Sequence, residues 1–418
     1  MRSARRALLG SVLAALVQVA SADELGANLE SLLNYAREHN PELRMRALEA
    51  EAAHAGAGAA SALPDPSFQI MLMDFTNAES GSSASLLPGE VGATRYQIVQ
   101  PLPFFGKRDL RGQLAGHQAA QRDATRDATR LDIESRIKTA YARYYQAADE
   151  AGILNETRDL YESLEKLVVT RYSVGLVPQQ DALQAQSEIT SIKLDLIEAE
   201  RKRREAAAVL NALLPRDSDA ALATPHALPI PKGVPSLRTL MNTAFESTPE
   251  LTREQASIDA AKNTQALTLR DRYPDFSLGL RDTRPHNGIQ TWDVMLEVTI
   301  PLQQLARRDR EAESRHMLEA AHASLEATRT RIQGRLGETF ASFESSRDKA
   351  QLLRSTLLPQ AQATLKAAEA GYETGQVNFN TLIEAERQIL RVRLALLDAE
   401  VEAAVKLSEL EQLTGSSL

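Results

Sequence analysis

The chain has 418 residues, with a net charge of -8, 25% charged residues and only 5% aromatic ones. The small acidic excess gives no footing for nucleic acid, and a chain without cysteine has no disulfides, thiolate metal sites or cysteine nucleophiles. Sparse aromatics with abundant Ala, Leu, Glu and Arg suggest long helices packed side by side rather than a thick enzyme core.

Residues 1–22 read as a secretory signal peptide: Arg2, Arg5 and Arg6 precede an apolar run, and Ala20-Ser21-Ala22 is a small-x-small cleavage site. The mature chain is therefore expected to be exported. No other stretch approaches the roughly 20 apolar residues of a transmembrane helix, so re-entry into a membrane would be as a β-barrel.

The first repeat spans 23–215. A helix is expected over 28–60, ending near Pro64-Asp65 because proline disfavours helix in the residue before it. The period then changes to two. Phe68 and Ile70 alternate with Ser67, Gln69 and Met71 in a strand over 67–73, and Tyr96 and Ile98 share one face of a strand over 94–100. The Gly- and Ser-rich loop over 74–93 is expected to be exposed and mobile. One uninterrupted helix is expected from Pro101 to Gly175, 74 residues on, which is roughly 110 Å at about 1.5 Å per residue. A turn over 172–178 then sends back a second helix. Its apolar residues Ala182, Ala185, Ile189, Ile192, Leu196 and Ala199 step 3-4-3-4-3, the coiled-coil spacing.

Residues 216–235 form a linker, and the second repeat, 236–418, starts the layout again. A helix is expected over 236–269, then strands over 276–281 and 291–300. Phe276, Leu278 and Leu280 lie on one face of the first strand. Trp292, Val294, Leu296 and Val298 alternate with Asp293, Met295 and Glu297 in the second. Such alternation marks a sheet apolar on one side and wet on the other. The loop over 282–291 is again expected to be exposed. A long helix from Pro301, a turn over 372–378 and a return helix complete the copy. Pro101-Leu102, Gly175 and the return-helix positions all recur at an offset of 200 residues, so a whole structural unit is duplicated. The opening and return helices, stacked end to end, match the long helix and suggest a two-ply rod.

Four strands cannot close a barrel, since the smallest membrane barrels have eight, and lipid forbids open edges. The barrel reading thus requires several identical chains, with the helices as a wall beneath.

With its two-fold repeat, its strand pairs, and its Tyr-x-x-Gly turns followed by Leu183-x-Ala185 and Ile383-x-Ala385, the chain resembles the TolC-type outer-membrane efflux ducts. The run Gln100-Pro101-Leu102-Pro103-Phe104-Phe105-Gly106-Lys107-Arg108 is similar to the heavy-metal branch, the outer-membrane component of cobalt–zinc–cadmium resistance systems. The resemblance covers essentially the whole mature chain. It implies a mainly α fold with a small β part: duplicated helical hairpins forming an α-barrel, and four strands per chain in a trimeric twelve-stranded β-barrel. It also implies a homotrimer in outer-membrane lipid with most of its mass in the periplasm, joined by a periplasmic membrane fusion protein to a proton-driven inner-membrane pump of the RND type. Many members carry an acylated N-terminal cysteine. Without one here, lipid anchoring is not carried over.

Several residues are candidates for function. Val174, Gly175 and Leu176, with Thr374, Gly375 and Gln376, are either plain turns in which glycine supplies a left-handed conformation or, as the resemblance implies, tips that dock the fusion protein. Asp181, Glu384 and Glu386 are either a solvated helix face or, in a three-fold assembly, rings of carboxylates that bind and gate cations. Asp181 and Glu384 lie where the family carries gate acids. Phe68, Ile70, Tyr96, Ile98, Phe276, Leu278, Leu280, Trp292, Val294, Leu296 and Val298 are expected to face lipid, with Asp293 and Glu297 facing the barrel lumen. His39, His54, His117, His226, His286, His316 and His322 form no His-x3-His pair, so no dedicated metal site is expected. No phosphate loop, nucleophile motif or paired catalytic carboxylates occur, so neither a cofactor nor an enzyme is expected. The leading expectation is a passive export duct for divalent heavy-metal cations. A periplasmic adaptor of coiled-coil type, a duct for drugs or other small molecules, and a metal-storing periplasmic protein are the alternatives.

Overall fold

The computed structural model describes residues 25–78, 81, 83–228 and 233–418. The expected signal peptide, 1–22, lies outside them, as do parts of the loop over 74–93 and of the linker. The elements run α1 (Leu29–His39), α2 (Pro41–Ala60), β1 (Ser67–Met73), β2 (Ala93–Leu102), α3 (Lys107–Ser173), α4 (Gln179–Leu213), α5 (Leu237–Ser247), α6 (Pro249–Arg270), β3 (Asp275–Pro285), β4 (Thr291–Thr299), α7 (Gln304–Leu352), a π-helical turn (Leu353–Leu357), α8 (Leu358–Glu373) and α9 (Phe379–Thr414).

Two compact units share the chain. The first holds 25–45, 127–248 and 330–418; the second holds 46–126 and 249–329. No helix among the described residues is long and apolar enough to cross a membrane.

The helices expected over 28–60 and 236–269 are each broken in two. Asn40 and Thr248 precede Pro41 and Pro249, and clash with the proline ring pushes them to extended backbone, ψ 120° and 123°. Each proline then opens a new helix, where its missing N–H costs nothing. The interrupting side chains are also put to use. The Asn40 amide donates to Leu213 O at 2.9 Å, and the Thr248 hydroxyl donates to Leu413 O at 2.9 Å. In each repeat, the break thereby satisfies an orphan carbonyl in the last turn of the return helix.

The long helix of the second repeat also departs from expectation. In the first repeat α3 runs unbroken for 67 residues. In the second, Pro359 stands inside the stretch, and the ladder slips into the π turn at Leu353–Leu357 just before it. Proline lacks the N–H that an α-helical bond needs, and the slip absorbs that loss.

The first unit's core is helical. Around the hairpin turns, Tyr161, Val168, Ala185, Ile189, Phe379, Leu382 and Ile383 are buried together. A second cluster joins Leu32 and Ala36 of α1 to Ile137, Tyr141 and Tyr144 of α3 and Leu210 of α4. The linker is tied down here, with Ala223 N and His226 N donating to Leu25 O and Ala27 O.

In the second unit, the strands form one antiparallel sheet in the order β1-β2-β3-β4. β2 and β3 are longer than expected, because pairing continues to Ala93↔Pro285 and Leu102↔Phe276. The strand end expected at residue 300 falls at Thr299. The described parts of the loops are tied by hydrogen bonds. Asn77 is buried, and its amide donates to Ser83 O at 2.7 Å and Glu90 O at 2.9 Å. His286 joins the two loops, its N–H donating to Gly92 O at 2.9 Å and its Nδ1 lying 2.7 Å from Gly89 O.

Candidate channel-forming surfaces

Strand register decides what the sheet can do. Phe68, Ile98, Leu280 and Val294 form one cross-strand row; Leu278 pairs with Leu296, and Phe276 with Val298. Ile70 and Tyr96 pair in the next row, which reaches Trp292 through Asp282. All eleven residues expected to face lipid therefore share one face. Most of them are exposed, Val294 by 76% and Leu296 by 67%. Asp282 also falls on this face, at the loop end, where it accepts from Arg284 Nε at 2.8 Å and Gln290 Nε2 at 2.7 Å. The opposite face carries Gln69, Gln97, Arg281 and Asp293 in a polar row, and Glu297 lies on it too. Met295 leans into space left by Gly279, where a Cβ would come within 3.0 Å of its Cε.

The junction between strands and helices explains the sequence run at 100–108. Gly106 has φ +81°, the left-handed region that glycine favours. This turn buries Lys107, whose Nζ lies 3.0 Å from Asp275 and 3.1 Å from Asp271. Phe104 N donates to Asp275 Oδ1 at 2.7 Å, and the Phe104 ring stacks on Tyr273. A first-repeat motif is thus clasped by second-repeat acids.

The two hairpin turns are built alike. Gly175 and Gly375 have φ +76° and +74°; Leu176 N donates to Arg171 O and Gln376 N to Gly371 O, a Schellman closure of each long helix. Val174 and Leu176 stand out into solvent, 67% and 74% exposed, and Thr374, Gly375 and Gln376 are exposed too. Arg171 bridges the turns, its guanidinium 5.1 Å from the Tyr372 ring centroid and donating to Tyr372 O at 3.2 Å.

The acids past the turns separate by environment. Asp181 is half-buried in the first turn of α4, and burial raises its pKa. Glu384 is exposed and accepts from Arg387 at 2.5 Å. Arg387 also reaches Glu188 on α4, so α4 and α9 are joined by an ion pair. Glu386 is 3% exposed and its Oε1 makes no hydrogen bond; burial, then Glu369, pushes its pKa up to about 7. Tyr161 is equally buried, with an unpartnered hydroxyl. The sequence reading missed Glu188 and Arg387. Their separation of 199 residues, one short of the repeat offset, was the available signal.

Of the histidines, His54 lies 2.7 Å from Asp123 and His316 3.2 Å from Glu319. Among the described residues, no group of three or more His, Asp or Glu could hold a metal ion.

A sheet apolar on one face and polar on the other, in a chain that also has duplicated long helical hairpins, is the pattern of a membrane channel. The model of the outer membrane efflux protein family matches residues 32–215 and 240–416, and the chain belongs to that family. It is an outer-membrane efflux channel, a passive conduit and not an enzyme. Over 376 residues it is 23% identical to the cobalt-zinc-cadmium resistance protein CzcC of Cupriavidus metallidurans, covering 88% of this chain and 85% of that one. It is 25% identical to the outer membrane protein OprJ of Pseudomonas aeruginosa, covering 93% and 84%. Its fold matches a crystal structure of CusC with a TM-score of 0.78 at 18% identity, covering 93% of this chain and 92% of that one.

Proposed function

We propose that three copies of this chain form a passive duct that exports divalent heavy-metal cations as the outer-membrane part of a tripartite, proton-driven system. The observation that carries the duct is the continuous, exposed apolar face of a sheet that leaves β1 and β4 as open edges. Edges in hydrocarbon leave backbone polar groups unpaired, so copies must join edge to edge. Three copies give twelve strands, with Asp293 and Glu297 toward the lumen. Heavy metal as the cargo is supported by the 100–108 run and by the likeness to the cobalt-zinc-cadmium resistance protein CzcC.

Val174 and Leu176 at one turn, with Thr374 and Gln376 at the other, dock the periplasmic fusion protein, which links the duct to the inner-membrane pump. Asp181 and Glu384, three-fold repeated, form carboxylate rings that attract cations to the entrance. A deletion strain complemented with the gene tests the cargo. Restored tolerance to cobalt, zinc or cadmium is expected; unchanged metal tolerance with restored tolerance to organic compounds would overturn it.

A further inference from the structure

The helix-side rim of the sheet carries an exposed surface that is both apolar and basic. β2 enters α3 through the Phe104–Gly106 turn, and β4 enters α7 through residues 300–303. Phe105 is 82% exposed, and Leu302 and Leu305 nearly as much. Phe105 is held outward, since the Phe104 stack on Tyr273 and the Lys107 clasp fix the turn beneath it. The run from Val294 to Val298 thus continues as exposed apolar surface past the end of β4.

Arginines gather at the same rim. Arg108, Arg270 and Arg308 are exposed. The Arg270 guanidinium lies over Gly106, its Cζ 4.0 Å from where a Cβ would stand. Among the described residues neither Arg270 nor Arg308 makes an ion pair within 4 Å, Arg308 lying only in the outer field of Glu311, and Arg108 donates to the Ser61 carbonyl. Their neighbours differ: Lys107 is clasped by Asp271 and Asp275, and Arg272 and Arg307 share Glu311. The loop end of the sheet is different again, for there Arg284 is paired to Asp282. Unpaired cations beside exposed apolar side chains, at the rim of a lipid-facing sheet, match a surface with phosphates above hydrocarbon. Guanidinium forks fit phosphate oxygens in pairs, and the aliphatic stems lie along apolar surface.

We propose that Phe105, Leu302 and Leu305, with Arg108, Arg270 and Arg308, form a collar that docks on anionic phospholipid headgroups of the periplasmic leaflet. The collar rests on the reading of the sheet as an outer-membrane barrel. It gives the duct a preference for anionic lipid and fixes its depth.

Flotation of the full-length trimer with phosphatidylcholine vesicles, with and without phosphatidylglycerol, tests this. Flotation with both vesicles and several-fold tighter binding to the anionic ones is expected. The triple variant Arg108→Gln, Arg270→Gln, Arg308→Gln should keep its helical circular dichroism and still float, while its preference for the anionic vesicles is lost. Added salt should erode the wild-type preference. Equal binding of wild type to both vesicles would overturn the collar and leave the barrel standing; flotation with neither would overturn both. A triple variant that keeps the full anionic preference yet loses resistance in cells would make the rim a protein-docking surface and overturn the lipid assignment.

Discussion

Glu386 makes the helical unit's stability depend on pH. Its carboxyl is 3% exposed, with an oxygen that has no partner, and its pKa rises from the usual 4.5 to about 7. A group that holds its proton more tightly when folded stabilises the fold at low pH. That contribution is complete below 4.5 and is lost as pH rises through about 7. At about 1.4 kcal/mol per pKa unit, between about pH 5 and pH 8 the fold should lose about 2–3 kcal/mol through this one group. Glu369 from α8 faces it, as does Tyr161 from α3, which in turn faces Glu188 from α4 and Glu384 and Arg387 from α9. Glu386→Gln removes the proton site at nearly constant volume. Melting of the helical circular dichroism of the detergent-solubilised trimer should fall by a few degrees from the lower to the higher pH in wild type, and much less in the variant. Equal falls in both proteins would refute the reasoning, since the slope would then come from other groups.

Leu296→Arg, on the exposed apolar face, should cost roughly 2–4 kcal/mol near mid-membrane, whereas Glu297→Arg should be tolerated; trimer recovery from outer membranes reads both. The pair Asp181→Ala and Glu384→Ala should weaken block by divalent cations in planar-bilayer recordings without loss of trimer, and unaltered block would make these acids a plain solvated face. Leu176→Asp should leave conductance intact but abolish resistance in cells, because it puts a charge in an apolar docking contact. Lys107→Ala leaves Asp271 and Asp275 without their shared ammonium and should destabilise the trimer by about 1–3 kcal/mol, read by thermal melting.

Much of the fold is legible because it is periodic. The alternation of Trp292, Val294, Leu296 and Val298 against Asp293 and Glu297 defines a two-faced strand without any knowledge of its partners, and Gly175 and Gly375 mark turns by conformational need alone. What escaped is non-local or ambiguous. Pro41 and Pro249 can open helices as readily as interrupt them, so the breaks at Asn40 and Thr248 show only when their side chains meet Leu213 and Leu413. Pro359 ends no helix, because a π turn takes up the slack. At the turns, Asp181 and Glu384 stand out as acids, but the ion pair of Arg387 with Glu188 and the burial of Glu386 depend on how α4 and α9 pack. The 100–108 run reads as a family signature. Its physical basis, a lysine clasped by acids about 170 residues away, needed the coordinates.

The central claim is that four strands with open edges become a closed duct only through identical copies. Light scattering on the complex extracted from outer membranes in mild detergent, corrected for bound detergent, tests it most directly. The expected protein mass is that of three chains, unchanged on dilution. A monodisperse monomer would leave β1 and β4 unpaired in lipid and would contradict the account.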